Sequence, residues 1–161
     1  MNEVSVCAAV GRVVRTTWQV PFSRCDAFGH LAAPAYLELA IDHRMEAVLE
    51  QLGFDTVAHA RDSGTAFVLR QARLDFRRPA ALGEVLVVES WIDALRGERM
   101  QVEVRIRPLQ GGSDHARLSL ESTTMDLRSG RPIPLPERLP RAREIDLASL
   151  PWAEDHPRNA P

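Results

Sequence analysis

The stretch from Phe22 to Gly53 constrains the fold more than any other part of the chain. Pro34 suits a first helical position, where its missing N–H costs nothing, and Gly53 suits the position just past a helix end. Between them, acidic residues recur at every fourth position and predict one solvated stripe: Glu38, Asp42, Glu46 and Glu50. The rest of the surface is mostly apolar, so we expect one long helix packed on more than one side.

Arg44 falls in the middle of the apolar side of this helix. A guanidinium there must find a partner or reach past the helix, and we expect a structural ion pair. Contact with a substrate is the alternative.

After the helix, the hydrophobic period changes to two, which indicates β-strands. We predict strands at 11–20, before the helix, and at 65–76, 84–94, 99–107 and 116–127 after it. A phase slip near Gln71 suggests a bulge, and the short turn at Gly97 predicts a hairpin. Residues 54–63 have a weak pattern and are expected to form a connection with one helical turn. One helix followed by strands with short turns predicts an α+β fold with an antiparallel sheet of about five strands.

A length of 161 residues fits a single domain, 1–161, with its core at about 11–136. Residues 1–10 are expected to form a loose arm. Pro132, Pro134 and Pro136 alternate, so we expect an extended run there. Seven of the eleven prolines lie between 132 and 161, and we expect a Pro-rich C-terminal tail at 137–161, docked by Trp152.

Composition excludes several classes of protein. A net charge of −2 does not favour nucleic-acid binding, and no apolar run is long enough to span a membrane. The first twenty residues lack the features of a signal peptide, so we expect a cytoplasmic protein. Cys7 and Cys25 are expected to be free thiols. All 20 basic residues are arginines, so phosphate contacts would come from arginine, backbone or histidine.

The turn before the helix contains candidate chemistry. Asp26 lies four residues before His30, and Gly29 precedes that histidine. The first amides of a helix have no internal partners and favour negative charge, so a carboxylate and free N–H groups meet here. Cys25 is an alternative nucleophile, which would need a base such as His30.

These residues resemble a known family. The pattern Asp26-x-x-Gly29-His30-Leu31, then Tyr36, then Asp42-x-Arg44 is similar to the signature of the hotdog-fold acyl-CoA thioesterases, especially the 4-hydroxybenzoyl-CoA thioesterase type. Two weaker segments agree with the family in order, at 75–84 and 128–134, so the resemblance covers residues 13 to about 136. Ala32-Ala33 and Arg24 depart from it, because many members carry Asn-Asn and an acidic residue at these positions.

The resemblance implies a hotdog fold, in which an antiparallel sheet wraps one long central helix. It also implies hydrolysis of an acyl-CoA or acyl-carrier-protein thioester. Asp26 would act as base or nucleophile, the N–H of Ala33, seven residues past the aspartate, as oxyanion donor, and Gly29 would allow close approach to the substrate. His30 would either orient Asp26 or hold the turn through its ring, and Tyr36 would either serve the site or pack in the core.

The resemblance further implies a homodimer or homotetramer whose sheets join, with the site at the seam. Arginines near strand ends are candidates for the CoA phosphates: Arg77, Arg78, Arg96, Arg99 and Arg128. We predict no metal and no cofactor. Two alternatives remain: a non-catalytic acyl-thioester binder, and a hotdog hydratase or dehydratase, whose Asp-to-His spacing of five differs from the four found here.

Overall fold

The computed structural model describes residues 4–5, 13–135 and 138–139. Its main sheet contains the short strand β7 (Arg131–Pro132) and five long strands, β2 (Val14–Gln19), β3 (Thr65–Phe76), β4 (Val85–Arg96), β5 (Arg99–Pro108) and β6 (Ala116–Asp126). Their order is β2-β4-β5-β6-β3, and every neighbouring pair is antiparallel. Short β7 (Arg131–Pro132) extends the ladder of β6, and β1 (Val4–Ser5) pairs separately with β8 (Arg138–Leu139). The predicted α+β hotdog fold is confirmed.

The strand predictions agree closely with these bounds. The register shifts between Leu69 and Gln71, where the phase slip predicted a bulge. Gly97, with a φ of 60°, turns β4 into β5 as a hairpin. The expected behaviour of residues 1–3, 6–10 and of the tail, including Trp152, falls outside the described residues.

The long helix, α1 (Ala33–Leu52), begins one residue earlier than expected, so Pro34 takes its second position. Gly53 ends it in the left-handed conformation, with a φ of 67°. The predicted acidic stripe is exposed along its whole length. On the opposite side, α1 packs on the inner face of the sheet through buried residues that include Tyr36, Leu39 and Ala40.

Within the described residues of this one chain, only one side of α1 is covered, so the expected packing on more than one side stays a prediction. A second apolar row, Ile41, Met45 and Leu49, is 40–46% exposed. These positions lie four residues apart, so they form one continuous strip along the helix.

A second, short helix was missed by the sequence analysis. Residues Thr56–Ser63 form α2, where a connection with one helical turn was expected. The Asp55 carboxylate caps it by accepting from the Ala58 N–H at 2.8 Å. Rings of Phe54, His59 and Phe67 then pack at centroid distances of 5.2–6.1 Å, which stabilises a helix too short to persist alone. Within the described residues, no helix has the length and hydrophobicity to cross a membrane.

The outer face of the sheet carries a charged network instead of an apolar surface. Glu89 on β4 is 5% exposed and lies between Arg15 on β2 and Arg107 on β5. Arg15 Nε donates to its carboxylate at 2.8 Å, and Arg107 Nη2 at 3.0 Å. Burial alone would raise the pKa of Glu89, but the two guanidinium groups hold it below its ordinary value.

Candidate active site

Asp26 lies in a closed turn between β2 and α1. Cys25 bridges Leu31, and the Asp26 N–H donates to the His30 carbonyl at 2.8 Å. The Gly29 N–H donates back to the Asp26 carbonyl at 3.1 Å, with Gly29 at a φ of 74°. Since a side chain at this φ is strained, the turn itself requires the glycine. The predicted close approach of Gly29 to a substrate stays a prediction.

The two oxygens of the Asp26 carboxylate differ in their surroundings. Oδ1 accepts from the Phe28 N–H at 2.8 Å and from the His30 N–H at 3.1 Å. Among the described residues, Oδ2 has no hydrogen-bond partner. One oxygen therefore fixes the orientation of the group, and the other is open to a water or a substrate.

The start of α1 leaves a backbone donor unused. Ala32, the N-cap, offers no side-chain acceptor, and Pro34 has no N–H. The Ala32 N–H donates to the Arg24 carbonyl at 2.9 Å and the Ala35 N–H to the Ala32 carbonyl at 2.9 Å. Ala33 is an exposed residue, and within the described part of the chain its N–H has no acceptor, so this donor is available to an oxyanion.

His30 contacts Asp26 through its backbone, because its N–H donates to Asp26 Oδ1. Its half-buried ring makes no hydrogen bond to any described residue, so the alternative in which the ring bonds a carbonyl is absent there, and a role of the ring beside Asp26 stays a prediction. The backbone of His30 pairs instead with Ala81 in the turn before β4. That pairing anchors the loop and leaves the ring without a partner in the described chain.

Tyr36 is 3% exposed and contacts the same turn from the inside. Its hydroxyl oxygen accepts from the Ala80 N–H at 3.2 Å, and its ring meets Phe76 edge-on at 5.3 Å. Burial raises the pKa of Tyr36 above its ordinary value of 10.0; the Ala80 N–H opposes this, and the charges of Glu84 and Asp26 add to it. This position matches the expectation of core packing with a satisfied hydroxyl.

Cys25 is a free, half-buried thiol. Its Sγ is 3.4 Å from the Pro21 carbonyl, to which the thiol donates, and it has no contact with a base in the described residues. Nothing in this geometry activates it as a nucleophile.

The model of the thioesterase-like superfamily matches residues 20–142. The chain belongs to this superfamily. That range contains the whole Asp26 turn, α1 and strands β3 to β6, so the predicted family is confirmed and, at the level of the family, so is a thioester hydrolase.

Solved structures agree with the superfamily on the fold. A probable thioesterase from Bartonella henselae is 27% identical, with a TM-score of 0.67 over 77% of this chain and 99% of that one. YbaW, a probable thioesterase from Escherichia coli, is 22% identical, with a TM-score of 0.69 over 76% and 90%. Slr0204, a 1,4-dihydroxy-2-naphthoyl-CoA thioesterase from Synechocystis, is 21% identical, with a TM-score of 0.71 over 77% and 90%. No curated protein sequence matches the chain significantly.

The candidate arginines separate into two groups in this thioesterase-like chain. Arg77 and Arg78 follow β3, at the end of the sheet where the Asp26 turn lies. Arg96, Arg99 and Arg128 lie at the opposite end, beside the β4–β5 hairpin and after β6. A strand of twelve residues spans about 40 Å, so one chain does not bring all five arginines to one site.

Most of these arginines are also paired with carboxylates. Arg77 Nη2 is 2.8 Å from Asp75, and Arg78 Nη2 is 3.8 Å from Glu84. Arg99 lies 3.6 Å from Glu98 and 3.4 Å from Glu121. All are substantially exposed, so these pairs are weak and could exchange for a phosphate.

A buried polar cluster between α1 and the sheet was missed from sequence. His43 is 1% exposed, with Nδ1 2.8 Å from Thr16 Oγ1 and Nε2 2.8 Å from Ser90 Oγ. Burial, and then the charge of Arg44, lowers the pKa of His43 to about 3, so it stays neutral. No sequence pattern identifies His43 as part of a polar cluster, because its partners Thr16 and Ser90 lie on β2 and β4, far from it in the sequence.

Arg44 differs from its prediction. Its Nη1 donates to Ser90 Oγ at 3.1 Å, and no carboxylate among the described residues pairs with it, so the expected ion pair is wrong there. Burial lowers the pKa of Arg44 to about 10, a value at which it is still charged at neutral pH. The Arg44–Ser90–His43 group ties α1 to β4.

Proposed function

We propose that the chain is an acyl thioesterase that hydrolyses an acyl-CoA or acyl-carrier-protein thioester to a free acid and a thiol, with Asp26 as the catalytic carboxylate. The observation that carries the proposal is the asymmetry of that carboxylate. Oδ1 is held by the Phe28 and His30 N–H groups, while Oδ2 has no partner in the described residues. A base or nucleophile needs this combination of fixed orientation and an open oxygen.

Two routes use the same atoms. In the first, Oδ2 takes a proton from water, the resulting hydroxide attacks the thioester carbon, the C–S bond breaks, and the departing thiolate takes the proton from Asp26. In the second, Oδ2 itself attacks, the thiolate leaves, and water hydrolyses the mixed anhydride. In both, the carbonyl oxygen becomes an oxyanion, to which the Ala33 N–H would donate, a contact typically worth ~3 kcal/mol.

The proposal includes a two-fold dimer joined at β3. This strand ends the sheet order, and Val68 and Leu69 on it are each 37% exposed. A long edge strand with apolar side chains is a template for another strand. The same partner would cover the exposed row of α1, which consists of Ile41, Met45 and Leu49. A helix with so wide an apolar surface is expected to pack on two sides.

A dimer of this kind would also bring the two separated groups of arginines together. A two-fold axis through paired β3 strands makes them antiparallel, so the far end of the partner's sheet comes next to this chain's Asp26 turn. Arg77 and Arg78 of one chain and the partner's Arg96, Arg99 and Arg128 would then lie near one seam. This is the arrangement in which they could share the CoA phosphates.

The test is hydrolysis of a panel of acyl-CoA thioesters, followed by release of free thiol, by wild type and Asp26→Asn. Aryl substrates come first, because Slr0204 is described as a naphthoyl-CoA thioesterase. We expect the variant to lose ~100-fold or more in kcat, as removal of a base or nucleophile does. Asp62→Asn, at an exposed aspartate of α2, is the matched control. An Asp26→Asn protein with wild-type rates would refute the assignment.

Oligomeric state is measured separately by light scattering. We expect a dimer or tetramer for wild type and for Glu46→Gln, on the solvated stripe, and a smaller species for the double variant Met45→Glu and Leu49→Glu. A monomeric wild type would rule out the shared site. A cytoplasmic location remains part of the proposal, supported by the free thiol of Cys25.

A non-catalytic acyl-thioester binder is the second candidate. Wild type inert on every CoA ester and on acyl-carrier protein, yet binding a non-hydrolysable acyl-CoA, would favour it.

A further inference from the structure

The loop that carries Asp26 rests on a second turn, residues 80–84, which connects β3 to β4. The Leu31 N–H donates to the Ala80 carbonyl at 2.8 Å, and the Leu82 N–H donates to the Gly29 carbonyl at 2.9 Å. His30 bridges Ala81 between these two bonds. The position of the Asp26 loop therefore follows the position of the 80–84 turn.

Glu84 closes this turn from inside. Its Oε2 accepts from the Ala81 N–H at 2.9 Å, and its Oε1 is 2.8 Å from His115 Nε2. The His115 side chain has no solvent exposure. Its backbone is bonded on both sides, accepting from the Arg77 N–H at 2.9 Å and donating to the Ile106 carbonyl at 2.8 Å. His115 thus links the turn to β5 and to the end of β3.

Both ring nitrogens of His115 face oxygens. Nδ1 is 3.2 Å from the Arg78 carbonyl, which can only accept, and Nε2 is 2.8 Å from the Glu84 carboxylate. Burial alone would raise the pKa of Glu84, but the Ala81 N–H, His115 and Arg78 together hold it below its ordinary value of 4.5. An ionised carboxylate also only accepts, so both hydrogen bonds form when both ring nitrogens carry a proton.

We infer that His115 and Glu84 are positioning residues, an imidazolium–carboxylate pair with a buried ring that holds the 80–84 turn and, through it, the loop that presents Asp26 to a thioester. This inference rests on the proposed function for its catalytic part. The pair does not touch the reacting atoms. Among the described residues, Arg78 is a further charged group at the pair, with Nη2 3.8 Å from Glu84 Oε1.

The first experiment compares Glu84→Gln with wild type. Glutamine keeps the size of the side chain and an oxygen for the Ala81 N–H, but it removes the charge that faces His115. We expect kcat to fall about 10- to 100-fold, the usual effect of a small misplacement of a catalytic group, while KM stays within about twofold. Glu50→Gln, at an exposed glutamate of α1, should leave both constants unchanged. His115→Gln should reproduce the loss in kcat.

Two further measurements do not depend on activity. Nitrogen NMR of the His115 ring at pH 7 should show two protonated nitrogens in wild type and lose that signature in Glu84→Gln. Amide hydrogen exchange should accelerate at Leu31 and Leu82 in the variant, with Val104 in β5 unchanged, which separates a local effect from loss of the fold.

The results that would overturn the His115–Glu84 pair differ from the result that would refute the proposed function. An unprotonated ring nitrogen in wild type would overturn the pair, and so would a Glu84→Gln protein with unchanged kcat and unchanged exchange at Leu31 and Leu82. A rise in KM alone would make Glu84 a binding residue and contradict the inference. A wild type that hydrolyses no thioester would refute the proposed function, while the NMR and exchange results would still decide whether the pair holds the loop.

Discussion

Ala33→Pro isolates one backbone hydrogen-bond donor, because proline removes the N–H and little else at this position. Ala33 is the first residue of α1, where the fixed φ of proline fits a helix. Ala32 before it has φ −65° and ψ 144°, the extended conformation that a residue preceding proline adopts. Ala33 is exposed, so the ring has space.

The expected magnitudes follow from these contacts. The Ala33 N–H has no acceptor in the described chain, so no internal hydrogen bond is lost, and we expect the free energy of unfolding to change by less than about 0.5 kcal/mol. If the N–H stabilises the oxyanion, its loss costs about 3 kcal/mol in the transition state, which is roughly a 100-fold fall in kcat.

The assay measures kcat and KM on the best acyl-CoA substrate, together with thermal unfolding. Ala33→Ser keeps the N–H and serves as the matched control, with kcat close to wild type. If Ala33→Pro unfolds at the wild-type temperature and keeps the wild-type kcat, the Ala33 N–H is not the oxyanion donor. A large loss of stability would instead refute the conformational reasoning about Ala32 and Ala33.

Two other perturbations test the scaffold. Tyr36→Phe leaves the N–H of the buried residue Ala80 without its acceptor. We expect the free energy of unfolding to fall by about 1 kcal/mol and Tm by roughly 2–4 °C, with kcat changed less than tenfold. A 100-fold loss of kcat at unchanged Tm would make the hydroxyl catalytic. Glu89→Gln removes a buried carboxylate from between Arg15 and Arg107. We expect the free energy of unfolding, measured in urea at pH 7, to fall by about 3 kcal/mol. Since the folded pKa of Glu89 lies below its ordinary 4.5, its stabilisation is present above pH 4.5 and disappears as pH falls through the folded pKa. The difference between wild type and Glu89→Gln should shrink in that acid range, and a difference independent of pH would contradict the ion-pair explanation.

Features set by local chemistry could be predicted from the sequence. Gly53 ends α1 because left-handed backbone favours glycine, and the slip near Gln71 is a bulge because the side-chain period of a strand is two. The exposed acidic stripe of α1 could also be predicted, because residues four positions apart lie on one face of a helix. Asp26 could be found because its turn is short and its pattern resembles a family signature.

Features that depend on distant pairing could not be predicted. The eight-residue helix α2 has two local signals, the Asp55 cap and Gly64 at its end, but it gains its stability from Phe54 and Phe67 around His59. Arg44 meets Ser90, 46 positions away, and Glu84 meets His115, 31 positions away. No periodicity connects such residues, because strand register brings them together and register is a property of the folded sheet.

The partners of its oxygens distinguish Asp26 from two other carboxylates at the same end of the sheet. Both oxygens of Glu84 are occupied, by the Ala81 N–H and His115, and Asp75 is paired with Arg77. Glu84 Oε1 lies 3.8 Å from Arg78 Nη2 and Asp75 Oδ2 lies 2.8 Å from Arg77 Nη2, and a nearby cation makes a carboxylate a weaker base. Among the described residues, the Asp26 carboxylate is bonded by backbone N–H groups and has no cationic partner. This difference in partners agrees with the residue that the sequence motif selects.

The same Asp26 is exposed in the single chain, and the rings of Phe22 and Phe28 beside it are 82% and 83% exposed. Charges and dipoles act more strongly on a reacting group when water is excluded, so a carboxylate in this position gains from a cover that one chain does not provide. In the proposed dimer, the partner and the substrate supply it. A monomeric variant such as Met45→Glu with Leu49→Glu should then keep the exchange protection of Leu31 and Leu82, because the Asp26 loop is built within one chain, and still lose most of its kcat. If the monomer hydrolyses thioesters at the wild-type rate, the site is complete in one chain, and the seam has no part in the chemistry.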